Sequence, residues 1–297
     1  GPQAGGHGER ELSRPTYTDL MAAAAGRFRQ AGIEGPQREA RLLMSLASGL
    51  TTSQLILRGH TAVPDDVSRT FDHMVGQREA RVPFQHIAGT TSFFGLDLIS
   101  DARALVPRAD SEVVVEAALR LLPDEPGLEI ADLGTGSGCL LIALLVTRLD
   151  ASGIGVEADV AAASLAAENI ARHALESRAR LAVQPWAEWS GWGSVDLIIS
   201  NPPYIRSDVI GSLDPEVRLH DPEVALDGGT DGLDAYRELA TLGRARLKPG
   251  TPVVFEIGYD QQGDVEAILS GAGLTDIGSA KDLGGNDRVV WARQPIG

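Results

Sequence analysis

The chain has 297 residues and a net charge of −15, with 43% hydrophobic and 23% charged residues. That balance belongs to a folded globular protein and excludes a disordered chain, a coiled-coil rod and a collagen-like fibre. No uninterrupted apolar run reaches about 18 residues, so no membrane span is expected, and the single cysteine, Cys139, excludes an internal disulfide and points to a reducing cytoplasm.

Residues 1–15 open with Gly1-Pro2, lack an apolar signal region and read as a tag-like or disordered tail. Residues 16–85 read as a small helical domain that docks a partner. Tyr17, Leu20, Met21, Ala24, Ala25 and Phe28 recur at helical spacing until Gly32 and Gly35-Pro36 break the pattern. Ala40, Leu42, Leu43, Leu46 and Ala47 form a second run ending near Gly49, and Asp65-Asp66 after Pro64 opens a third through Phe71, Met74 and Val75. Residues 86–108 read as a linking β-hairpin, its two arms drawn from 93–99 and 104–106. Asp110 or Ser111 then caps a helix whose apolar face is Val113, Val114, Ala117, Ala118, Leu121 and Leu122.

From residue 129 strands and helices alternate. Strands are expected at 129–133, 153–157, 180–184, 195–200 and 253–258, with helices at 139–149, 160–173, 233–247 and 263–271. Two further runs, 274–280 and 287–293, suit an antiparallel pair. Continuous apolar strands in βα repeats imply a parallel, Rossmann-like α/β sheet with helices on both faces, here spanning 109–297. All of the net negative charge lies beyond residue 85, since residues 1–85 hold ten Arg against nine Asp and Glu. Such a surface repels a phosphate backbone, so no direct nucleic-acid partner is expected, and a basic protein or a cationic small molecule suits it better.

Two motifs carry chemistry. The first is Asp132-Leu133-Gly134-Thr135-Gly136-Ser137-Gly138, a strand entering a glycine turn and then a helix. The G-x-G-x-G spacing is neither the dinucleotide fingerprint G-x-G-x-x-G nor a P-loop, which would need a Gly-Lys-Ser/Thr. Glu157 closes the second strand, where an acid can accept both hydroxyls of a ribose. A glycine loop without phosphate chemistry, beside a ribose acid, suits S-adenosylmethionine, with Asp132 near its cationic end. The plainer readings are a solvated strand-end acid for Glu157 and a helix-dipole partner for Asp132. Cys139 reads as a small core residue rather than a nucleophile.

The second motif, Asn201-Pro202-Pro203-Tyr204, follows the most apolar strand. Consecutive prolines fix the backbone and remove two donors. The Asn201 amide oxygen and the Pro202 carbonyl then form a rigid pair of acceptors suited to a planar NH2 group, on which Tyr204 can stack. Holding such a nitrogen aims it at a methyl donor and stabilises charge that builds on it. An exocyclic amine of a nucleobase, an amide side chain, or a binding module that kept the fold without turnover all fit these residues.

With these motifs, the chain resembles the release factor glutamine methyltransferases. The resemblance runs from about residue 16. It includes Pro83–Gly89, Phe93-Phe94-Gly95-Leu96, Leu105–Glu112, Asp221–Leu226 and Gly285–Arg288. It implies a class I methyltransferase sheet behind a helical substrate-docking domain. It further implies transfer of methyl from S-adenosylmethionine to the N5 amide nitrogen of the glutamine in the Gly-Gly-Gln loop of bacterial class 1 release factors, leaving S-adenosylhomocysteine, with no metal. By position, Gly134, Thr135, Gly136, Ser137 and Gly138 would line the cofactor, Glu157 would hold its ribose and Trp186 would pack near its adenine. Asn201 would touch cofactor and substrate, and Pro202, Pro203 and Tyr204 would complete the glutamine pocket. The chain departs from the family at Glu157, usually Asp, at Ala109, usually Pro, and at Pro185, usually an acid. Gln184, Glu188 or a backbone group would then replace that acid at the adenine.

Overall fold

A computed structural model describes residues 14–297, so the expected tail lies outside the described residues up to Ser13. Packing divides the chain into one unit ending at Ile87 and a second spanning Ala88–Gly297. Among the described residues no helix is long and apolar enough to cross a membrane.

The first unit contains α1 (Tyr17–Gln30), α2 (Pro36–Ser48), α3 (Thr52–Leu57) and α4 (Asp65–Glu79). Thr16 with Asp19, and Thr51 with Gln54, exchange hydrogen bonds as capping boxes that start α1 and α3. Pro36 opens α2 and a left-handed Gly49 ends it. The helices bury Phe28, Leu43, Met44 and Phe71 together. Leu46, expected in the core-facing run, lies on the outer face at 39% exposure, and Met44 takes the buried place beside Ala40 and Leu43. Neither α3 nor α5 (Phe84–Ala88) was expected, because five or six residues are too few to show a helical period.

In the second unit the hairpin differs from its sequence reading. Its strands are β1 (Thr90–Phe93) and β2 (Leu96–Ile99), so both arms come from 90–99 and residues 104–106 form no strand. The cause is local: Phe94 and Gly95 have φ of 51° and 73°, the paired positive values of a two-residue type I′ turn. Thr90 and Thr91 supply β-branched strand residues that do not stand out as apolar. Phe93 and Leu98 are fully buried in the main core beside α6 (Glu112–Leu121) and α7 (Cys139–Thr147), so the hairpin belongs to this unit.

The sheet comprises β3 (Glu129–Leu133), β4 (Ser152–Val156), β5 (Ala179–Ala182), β6 (Leu197–Ser200), β7 (Pro252–Glu256), β8 (Thr275–Lys281) and β9 (Asp287–Arg293). Their order is β5-β4-β3-β6-β7-β9-β8; the first five strands of the chain's sheet run parallel and β9 pairs antiparallel with β7 and β8. One face is covered by α6, α7 and the end of α8 (Val160–Arg172). α9 (Pro215–His220) lies in the connection after β6, where no element was expected, and α10 (Asp234–Arg246) and α11 (Gln262–Gly271) cover the opposite face. α7 is apolar all round because Leu140 to Leu145 are all buried. Strand order reverses between β3 and β6, and in open α/β sheets that switch point opens a crevice at the carboxyl ends of the strands. Both sequence motifs begin there.

Candidate active site

The register places the motifs side by side. Asp132 lies opposite Ile199, and the Ser200 hydroxyl donates to the Leu133 carbonyl at 2.5 Å, joining the two strand ends. On the other side Ser200 lies opposite Phe255, so Asn201 emerges between Gly134 and Glu256. A cavity of about 640 Å³ opens there. It is lined by Gly134, Thr135, Gly136, Ser137, Glu157, Trp186 and all of Asn201-Pro202-Pro203-Tyr204.

The glycine loop is shaped by its own backbone. Gly134 and Gly136 have φ of 73° and 54°, a region that side-chain-bearing residues rarely adopt. The Gly134 N–H donates to the Val156 carbonyl at 2.7 Å, tying the loop to β4. The next residue, Glu157, accepts from the Gly136 N–H at 2.9 Å and, through its other oxygen, from the Asp159 N–H at 3.1 Å. Each oxygen keeps lone-pair capacity for a further donor.

Two expected loop residues stand apart. Gly138 is not in the cavity wall: it starts α7 at a φ of 86°, a left-handed conformation that glycine adopts freely. Asp132 is fully buried beneath the loop and also outside the wall. One of its oxygens accepts from the Thr135 hydroxyl at 2.7 Å and the other has no partner. Burial pushes its pKa up to about 7, opposed by the Thr135 hydrogen bond and assisted by the charge of Glu157. Cys139 lines the cavity, but burial pushes its thiol up to about 12, which keeps it a neutral wall residue. Of the groups considered beside Trp186, Pro185 lines the cavity whereas Gln184 and Glu188 do not.

The Asn201–Tyr204 turn is held by distant partners. The Tyr204 carbonyl accepts from Gln261 Nε2 at 2.9 Å, and the Tyr204 hydroxyl donates to Glu256 Oε1 at 3.1 Å. Ile205 exchanges backbone hydrogen bonds with Leu226 and Gly228. A Cβ at Gly228 would sit 2.9 Å from the Pro203 carbonyl, and one at Gly232 would sit 2.6 Å from the Tyr204 carbonyl, so both must be glycine for the segment to back the turn. Among the described residues no group donates to the Pro202 carbonyl, and the Asn201 side chain has no hydrogen-bond partner. Both residues line the cavity, and neither acceptor is committed to another group among the described residues.

Several supports escaped the sequence reading. Ser111 occupies the cap position expected of it but makes no capping bond; its hydroxyl donates to Glu256 Oε2 at 2.5 Å instead. Asn169, fully buried within α8, donates to the Ser137 carbonyl at 2.9 Å and bonds both backbone groups of Ile99, fastening the glycine loop to the hairpin. Position in a helix gave no signal for it. Gly228 and Gly232, in contrast, sit in the glycine-rich run 227–232, which was a visible signal of close backbone approach.

Comparisons with known proteins place the chain in a family. A family model described as the PrmC N-terminal domain matches residues 19–89, and one described as the methyltransferase small domain matches residues 112–212. A methyltransferase structure from Pyrococcus furiosus aligns over 77% of this chain and 98% of its own at 16% identity and a TM-score of 0.51, a likeness of fold. Sheet, loop and match together define the class: a methyltransferase with a Rossmann-like sheet. The release factor glutamine methyltransferase of Caulobacter vibrioides is 40% identical over 275 residues, covering 93% of this chain and 95% of that protein. That of Agrobacterium fabrum is 41% identical over 284 residues, covering 94% and 98%. The chain belongs to the release factor glutamine methyltransferase family.

Proposed function

We propose that the protein transfers a methyl group from S-adenosylmethionine to the side-chain amide nitrogen of the glutamine in the Gly-Gly-Gln loop of bacterial class 1 release factors. The observation that carries this reading is the pair of uncommitted acceptors, the Asn201 amide oxygen and the Pro202 carbonyl, in the wall of the cavity that also holds the glycine loop and Glu157. The site fits the cofactor: positive-φ glycines floor one side, Glu157 retains acceptor capacity for a ribose, and Trp186 offers a flat apolar surface. With Pro185 in place of an acid, a backbone group beside it takes the adenine amine. When bound, S-adenosylmethionine supplies an electrophilic methyl group on a sulfonium.

The chain's own residues then do three things. Asn201 and Pro202 accept the two N–H bonds of the amide and aim its nitrogen, which is a poor nucleophile because its lone pair is delocalised. The same acceptors stabilise positive charge developing on that nitrogen. Tyr204 packs on the amide plane. The near-neutral helical unit docks the release factor, and the acidic second unit suits a basic protein partner.

Mass spectrometry after incubation with cofactor and a release factor tests the reading. One added methyl should map to the loop glutamine, and a release factor with that glutamine replaced should remain unmodified. Methyl transfer to a nucleobase amine and not to the protein would overturn the assignment.

A further inference from the structure

We propose that Glu256 is a positioning residue for this reaction: its buried carboxylate locks the Tyr204 ring against the amide pocket, an inference that rests on the functional reading above. Glu256 ends β7 beside Asn201 and is 3% exposed. Its two oxygens receive one hydroxyl each, from Tyr204 at 3.1 Å and from Ser111 at 2.5 Å. Its backbone carbonyl receives a third, from Tyr236 at 2.6 Å. Burying a carboxylate is costly, and an ion pair is the usual compensation. Here Arg288 lines the same cavity and its charge favours the ionised carboxylate, but its Nε bonds Asp282 at 3.0 Å, and among the described residues only hydroxyls hydrogen-bond the Glu256 side chain.

That arrangement suits positioning. A phenol hydroxyl bonded to a carboxylate is held more strongly than one bonded to a neutral acceptor. Ser111 holds the second oxygen, so the carboxylate cannot turn away from the ring. Gln261 fixes the Tyr204 main chain from the other end. Tyr204 is thereby pinned at both its backbone and its ring tip. A ring whose plane is set before the substrate arrives adds no ordering cost at the moment of reaction.

A double-mutant cycle with Tyr204→Phe separates this role from a structural one. Glu256→Gln should lower kcat for glutamine methylation about tenfold while cofactor affinity by calorimetry stays within about twofold. In the Tyr204→Phe background the same change should cost less than about twofold. Losses that multiply in the two backgrounds would overturn the proposal. If Glu256→Gln folds poorly, Ser111→Ala replaces it in the cycle, with a smaller loss and the same dependence on Tyr204. A turnover-free measurement stands beside the cycle. The chain has four tyrosines, so 3-fluorotyrosine labelling yields four fluorine resonances, and Tyr204→Phe identifies one. Glu256→Gln should move that resonance and leave those of Tyr17 and Tyr259 in place. An unmoved Tyr204 resonance sinks the inference even if methylation proceeds. A parent chain that leaves the glutamine unmodified sinks the functional reading instead, and the fluorine shift still decides this one.

Discussion

The two walls of the cavity are built by opposite means. The glycine-loop wall takes its shape from its own backbone: Gly134 and Gly136 turn through their own φ angles, while Glu157 braces Gly136 from 21 positions away and Asn169 fastens Ser137 from 32. The Asn201–Tyr204 wall is rigid because of distant groups. Tyr204 depends on Glu256 and Gln261, and Glu256 in turn depends on Ser111, 145 positions upstream. A wall that must admit a flexible ligand can be a backbone cradle. On the proposed reading the other wall holds an amide nitrogen in line with a methyl group, and a turn pinned at Tyr204 from several directions serves that.

The strongest test of this contrast is the acceptor itself. Asn201→Ala should lower kcat/KM by roughly 10²–10³-fold, the loss typical for a pre-organised hydrogen-bonding group at a reacting centre. Far-ultraviolet circular dichroism should be unchanged, since the Asn201 side chain bonds nothing else among the described residues. Activity near the parent's would remove the turn from the chemistry. Next in size is Gly232→Ala, which puts a Cβ 2.6 Å from the Tyr204 carbonyl at a φ of 78°. It should cost roughly 1–3 kcal/mol of stability in urea unfolding and lower kcat while cofactor affinity holds. Gly136→Ala, whose Cβ meets only Ala104 at 3.8 Å, should cost about 1 kcal/mol from φ alone and act on cofactor affinity instead. Equal effects on kcat from both variants would erase the difference between the walls.

The same division decides what could be read in the sequence. The strand Glu129–Leu133, the turn after it and Glu157 were legible because their information is contiguous: an apolar run, glycines and an acid at a fixed spacing. The sheet was legible because buried parallel strands read as near-continuous apolar runs, as in Leu197-Ile198-Ile199. Ser111 was misread because a hydroxyl before a helix looks the same whether it caps that helix or reaches Glu256. The hairpin slipped because threonines form strands without looking apolar. Glu256, Gln261 and Asn169 stayed hidden because nothing in their neighbourhoods reveals partners dozens of positions away.

Two smaller effects sharpen the picture of the glycine-loop wall. Glu157→Ala removes the acceptor facing the cavity and the brace on Gly136, and should weaken cofactor binding by about 1–3 kcal/mol in calorimetry. Unchanged affinity would take Glu157 out of the site. The last effect is on stability against pH. Asp132, its pKa pushed up to about 7 by burial, keeps a proton in the folded protein that the unfolded chain releases near pH 4. Its stabilising contribution is therefore complete below about pH 4 and is lost as the pH rises toward 7. Asp221, raised to about 6 by burial, acts with the same sign, so replacing Asp132 reduces the slope without abolishing it. Asp132→Asn should flatten the fall in unfolding free energy between pH 5 and 6 by at most about 1.4 kcal/mol per pH unit. Parallel pH profiles for parent and variant would mean that Asp132 is ionised in the folded protein across this range, and that the acid beneath the glycine loop is a fixed charge.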